Sequence, residues 1–169
     1  MRCTIDGCEN VRSTRSKKYC VSCAKIAREK FREMIIAQGI EKEEKILGHQ
    51  HLLEKAIAAG IAAGTEKVPT PMIVEQHSNM WDDNSPVEKS YYVPQGVCGF
   101  AWVNVRPGNS SFARWAVKEG LARKSYSGGI DFWISDYGQS YEKKSAHAAA
   151  MAKVLEDAGL KAYAMSRMD

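Results

Sequence analysis

The sequence contains no uninterrupted apolar run near the ~18 residues that a membrane-spanning helix requires, so no bilayer-crossing segment is expected. Its opening, MRCTIDGCEN, lacks the apolar stretch of a secretory signal. Phosphate-cradling glycine loops are missing, because Ser127-Gly128-Gly129 has the form of a turn. With 44% apolar and 26% charged residues, the composition is that of a soluble globular chain, which excludes collagen-like, mucin-like and disordered classes. A length of 169 residues suits one ordinary domain, or a small domain joined to a smaller metal-stabilised one. These absences point to a reducing cytoplasm, where five cysteines suggest a metal site rather than disulfides.

Four of those cysteines, Cys3, Cys8, Cys20 and Cys23, follow the pattern C-x4-C, eleven residues, C-x2-C. Thiolates are good zinc ligands, and four of them complete a closed tetrahedral site. Gly7 before Cys8 suits the tight knuckle that brings one pair round the ion. The second pair opens a helix, since Ala24, Ala27, Phe31 and Met34 or Ile35 follow at helical spacing. A segment this short cannot bury enough apolar area to fold alone, so a structural zinc would serve as its core. Cys98 is left over as a free thiol, expected to be buried.

Positive charge is concentrated in the same place. Residues 1–38 hold nine basic against four acidic residues, whereas the remainder holds fifteen against sixteen. Such asymmetry is the footprint of a nucleic-acid contact, although a solvated basic surface would give the same count. The phrase RCTIDGCENVRSTRSKKYCVSCAKIARE, a knuckle, a basic loop and a cysteine pair at a helix start, resembles the treble-clef zinc fingers of small bacteriophage proteins. The resemblance implies zinc binding at residues 1–35 and, less directly, nucleic-acid binding. In that group the last ligand is often histidine, where this chain has Cys23, and the paired histidines and asparagine of an HNH nuclease do not follow. The phosphate contacts expected are Arg12, Arg15, Lys17 and Lys18 in the loop, with Lys25 and Arg28 on the helix, binding DNA or RNA with weak sequence specificity.

Residues 39–64 read as a second helix beginning after Gly39, with Ile46, Leu53, Ile57 and Ile61 as its apolar stripe. The AIAAGIAAG run permits close packing against the first helix or against a second copy of the chain. His49 and His51, two apart, point to opposite sides and cannot share an ion. Residues 65–89, with Pro69, Pro71 and NMWDDNSP, read as a linker or irregular layer in which Met72-Ile73-Val74 makes a short strand.

Residues 90–169 read as a small α+β domain of order β-β-α-β-α-β, one sheet with two helices on one face. The strands are Tyr91–Val93, Val97–Val105, Ile130–Tyr137 and Leu160–Ser166; Asn109-Ser110-Ser111 caps the first helix and Gly120 and Gly159 end the two helices. Strand alternation separates Ala101, Val103, Val105, Ile130, Phe132, Ile134, Ala162 and Ala164 from a second set containing Phe100, Trp102, Trp133, Tyr137, Tyr163 and Met165. The favoured expectation is that residues 41–89 fold over this second set and make it core. The alternative is an open platform of Trp102, Trp133, Tyr137 and Tyr163 that stacks bases. Asp131, Asp136, Glu142 and Lys144 only loosely suggest a carboxylate-lysine nuclease centre, and C-terminal phrases such as GGIDFWISDYGQS resemble small phage proteins without implying an activity. The expected function is therefore a non-catalytic, zinc-containing nucleic-acid-binding protein. The alternatives are an adaptor or inhibitor of a host protein, with possible self-association through the helical segment, and a metal-dependent nuclease.

Overall fold

The computed structural model describes residues 2–5, 7–11 and 18–169. They form a mixed α/β fold of three helices and two small antiparallel sheets, in two compact units, Met1–Leu47 and Gly48–Asp169. Helix α1 runs without interruption over Val21–Glu66. The break expected at Gly39 does not occur. A single interior glycine costs a helix only about 1 kcal/mol relative to alanine, and the good helix formers on either side carry the turn through.

In the unit Gly48–Asp169, the buried residues of α1 are Leu53, Ala56, Gly60 and Gly64, so of the expected stripe Leu53 is buried and its place is otherwise taken by small residues. Ile57 and Ile61 are exposed. The smallest side chains face inward because they allow ring-bearing residues to approach the helix backbone: Gly60 lies against the imidazole of His147 and Gly64 against the ring of Tyr137. Residues 65–89 are more regular than a linker: the short strand expected at Met72-Ile73-Val74 is present and runs on to His77. Strands β1 (Met72–His77) and β2 (Val87–Val93) pair antiparallel from Met72 opposite Val93, with a bulge at Gln76/His77. Tyr91–Val93 thus belongs to this hairpin and not to the main sheet. The Asn-Asp-Ser cluster is its loop, closed by Ser85, whose hydroxyl donates to the carbonyls of Asp82 and Asn79.

The main sheet has the order β4-β5-β3-β6, from β3 (Gly99–Arg106), β4 (Arg123–Lys124), β5 (Ile130–Trp133) and β6 (Lys161–Met168). Its neighbours are all antiparallel. Helix α2 (Ser111–Lys118) connects β3 to β4, and α3 (Tyr141–Asp157) connects β5 to β6, so two β-α-β segments interleave in one sheet. Ser110 caps α2 by accepting from the Ala113 amide at 3.2 Å, a contact worth about 1 kcal/mol. The first alternation set forms the core, with Ala101, Val103, Val105, Ile130, Phe132, Ile134 and Ala162 buried beneath Phe112 of α2 and Met151 and Leu155 of α3. Ala164 departs from that expectation and is exposed, midway along the edge strand β6.

Candidate functional site

The cysteine site is assembled from a short turn and a helix start. Arg2 bridges Val11, the Cys3 amide donates to the Asn10 carbonyl at 3.0 Å, and the Cys8 amide donates to that of Ile5 at 3.1 Å. Gly7 adopts φ +78°, the left-handed turn that an L side chain disfavours. Cys20 immediately precedes α1, its carbonyl accepting from the Ala24 amide, and Cys23 lies in the first turn. These two local structures bring the Cys3, Cys8, Cys20 and Cys23 sulfurs to within 4.8 Å of one another. Cys8 to Cys20 is 3.7 Å and Cys8 to Cys23 is 3.5 Å. A tetrahedron of sulfurs each about 2.3 Å from a central ion has edges of about 3.8 Å, so the cluster has the dimensions of a four-thiolate metal site. It is the one grouping of three or more potential ligands among the described residues.

Local donors favour thiolates on one side of this cluster. The Ser22 hydroxyl, 3.2 Å from the Cys20 sulfur, and the Cys23 backbone amide lower the Cys20 pKa to about 6. Backbone amides of Ile5 and Cys20 lower that of Cys3. Cys23 is pushed up to about 12, first by its hydrogen bond to Cys20 and then by that to Cys8, because its proton is shared with its neighbours. A cation at the centre would reverse that by displacing the protons. The unassigned fifth thiol, Cys98, is only half-buried, because it bridges Ser140 at the margin of the sheet rather than entering the core.

Of the expected phosphate contacts, Arg12, Arg15 and Lys17 lie outside the described residues. Lys18, Lys25 and Arg28 are exposed. Lys25 and Arg28 line a groove of about 650 Å³ whose other walls include Asn10, Val11 and Cys20. The first turn of α1 contains no acid to oppose them.

The favoured expectation for the aromatic residues fails. Within the unit Gly48–Asp169, α1 packs on the helical side of the sheet, where His49 meets Phe112 edge-on and Trp115 at a tilt, and leaves the opposite face open. Trp133, Tyr163 and Met165 are 40%, 47% and 44% exposed, and Trp102 is half-buried. Trp102 and Trp133 face each other across β3 and β5, with rings 5.5 Å apart and 11° from parallel. Tyr137 does not join them. The strand ends at Trp133, and Tyr137, at φ +67°, turns towards α1, its hydroxyl 3.1 Å from Nδ1 of His147.

Of the residues considered for catalysis, Glu142, Lys144 and Asp131 are engaged separately. Glu142 pairs with Lys67 at 2.9 Å and accepts from the Thr70 amide, Lys144 is buried and donates to the Gly99 carbonyl at 3.1 Å, and Asp131 accepts from Asn104 at 2.7 Å. Sequence reasoning missed Lys161 and Arg167 on the aromatic face. The same alternation that selects Tyr163 and Met165 on β6 places Lys161 and Arg167 beside them. Among the described residues no helix is long and apolar enough to cross a membrane. No family model matches the chain, and no curated protein or solved structure matches it at a significant level.

Proposed function

We propose that the chain is a zinc-stabilised, non-catalytic nucleic-acid-binding protein whose N-terminal module is of the treble-clef type. Zinc is the metal that four thiolates at this spacing suit best, being tetrahedral and redox-inert. The observation that carries the nucleic-acid reading is the cationic groove beside the cluster, where Lys25 and Arg28 stand on the first turns of α1. A helix N-terminus adds partial positive charge at that end, which favours phosphate. Arg12, Arg15, Lys17 and Lys18 are the further phosphate contacts proposed on the sequence alone. Such contacts read no base edges, so binding is of weak sequence specificity and strongly salt-dependent.

Electrophoretic shifts of duplex DNA and RNA at two salt concentrations test this reading. Affinity should fall steeply with salt, and the double substitution Lys25→Ala, Arg28→Ala should reduce the slope by about two. Elemental analysis should give about one zinc per chain, and a metal-free preparation that still binds would remove the structural role of the ion. A second reading, an adaptor that binds a host protein or a second copy through the helical segment, is favoured by the exposed Ile40, Leu47, Ile57 and Ile61 of α1. It prevails if no nucleic acid shifts at low salt while the chain co-purifies with a protein or sediments as an oligomer.

A further inference from the structure

We infer that the open face of the main sheet, within the unit Gly48–Asp169, binds a single-stranded segment of nucleic acid by base stacking. The inference rests on the nucleic-acid reading above and deepens it by naming the strand state and a second contact surface, one that involves none of the cysteine module.

Register places the residues. Across β5, β3 and β6, one row contains Trp133, Trp102 and Met165, and the next contains Asp131, Asn104 and Tyr163. Phe100, two positions from Trp102, has its ring 5.7 Å from that of Trp133. Cations surround the rings: Arg123 lies 4.7 Å from the Trp133 centroid, Arg167 5.4 Å from Phe100 and Arg106 6.0 Å from Tyr163. Lys161, opposite Arg106, adds a fourth. None of the four has a carboxylate within salt-bridge distance among the described residues. Asp131, the acid on these strands, accepts from the Asn104 amide, and Glu156 and Lys153 of α3 share a groove of about 570 Å³ with Asn104, Arg106, Tyr163 and Met165. The same Asn104 accepts from Nε of Arg106 through its carbonyl oxygen at 2.8 Å, while Arg106 Nη2 donates to the Ser127 carbonyl. Asn104 is buried, so this chain of contacts holds Arg106 in place beside Tyr163.

The charge selects the occupant. On the strands themselves four cations stand against one engaged carboxylate, and the Glu156–Lys153 pair at the groove leaves that balance unchanged, so a second copy of the same face is a poor partner because like charges would meet at the interface. An anionic polymer with flat aromatic groups satisfies both features at once: bases stack on the rings while phosphates take the arginines and the lysine. A guanidinium resting on an indole occupies the π face that a base would use, and it can move to a phosphate when the base arrives. Duplex DNA does not fit, since its bases are already stacked on one another and cannot reach the rings.

The test uses the full-length protein with its metal and fluorescein-labelled single strands of about twelve nucleotides, one DNA and one RNA, read by anisotropy across a salt series. Trp133→Ala and Tyr163→Ala should each weaken binding by about fivefold to a hundredfold and leave the salt slope unchanged. Trp133→Phe, which keeps a ring, should recover most of the loss. Arg123→Gln should instead lower the slope by about one. A 2′-hydroxyl contribution would separate the RNA arm from the DNA arm, and either binding supports the inference. Single-strand binding that is unaffected by the Trp133 and Tyr163 changes but lost with Lys25→Ala, Arg28→Ala would overturn the sheet-face site and leave the N-terminal reading intact. Duplex binding without any single-strand binding does the same. Binding to vesicles containing anionic phosphatidylserine, with none to either strand, would overturn it in favour of a membrane surface. Binding to no strand and no duplex would end both readings.

Discussion

His147 carries a titratable ring at a position that geometry reserves for packing. It is buried between the backbone of α1 at Gly60 and the hydroxyl of Tyr137, and desolvation lowers its pKa, with Asp136 opposing weakly. The unfolded chain therefore takes up a proton near the ordinary histidine value of about 6.5, while the folded chain resists until lower pH. In that window the unfolded state binds more protons, so stability is complete above it and falls as pH decreases through the folded value. His49, lowered by desolvation near Phe112 and Trp115, adds a contribution of the same sign. Thermal melts should show Tm falling between about pH 7 and pH 5, and the fall should flatten in His147→Gln, which cannot protonate. An unchanged profile in the variant would place the titration elsewhere. None of this was readable in the sequence, where His147 is one polar letter in a run of alanines. Its burial depends on a helix some eighty residues earlier, and no local pattern encodes that distance.

At the scale of elements, the glycines of α1 separate two effects that the sequence presents as one. Gly48 has open space where a Cβ would lie, so Gly48→Ala should stabilise the helix by roughly 0.5–1 kcal/mol through backbone entropy alone. Gly60 has the His147 ring in that space, and at Gly64 a Cβ would come 2.5 Å from the ring of Tyr137. Gly60→Ala or Gly64→Ala should therefore destabilise by roughly 1–3 kcal/mol, overpacking outweighing the gain in helix propensity. Denaturant melts of the three variants would show the opposite signs, and a uniform gain would mean that these contacts can relax freely. The small-residue run did reveal that something packs closely. It could not reveal that the partner is α3 and its preceding loop rather than the first helix or a second copy. Local chemistry was most legible where one residue type dictates one conformation, as at Ser110, Gly7, Gly120 and the cysteine pairs. It was least legible at the β1–β2 hairpin, whose strands expose residues such as Ile73 and Tyr92 and so lack a clean alternation of buried and solvated positions.

For the molecule as a whole, the division into Met1–Leu47 and Gly48–Asp169 falls inside a continuous helix and separates two different sources of stability. The larger unit holds its fold by burying Phe112, Ile130, Met151 and Leu155. In the smaller, the part of α1 from Ile26 to Leu47 leaves Ile26, Phe31, Ile36, Ile40 and Leu47 exposed, so hydrophobic burial along it contributes little. Most helix stability in proteins comes from packing an apolar face, which this stretch does not bury. Its anchor is then the cysteine cluster at its first turn, and a bound metal converts its binding free energy into folding free energy there. Removal of the metal by a chelator should let the helix fray inward from Val21. Hydrogen exchange should report this as lost protection at amides of residues 18–35, while β3, β5 and α3 keep theirs. The Tm of the larger unit should move by no more than about 2 °C, because the cysteine cluster belongs to the other unit. Loss of protection in the sheet on chelation would show instead that the two units share one cooperative transition, with the metal supporting both.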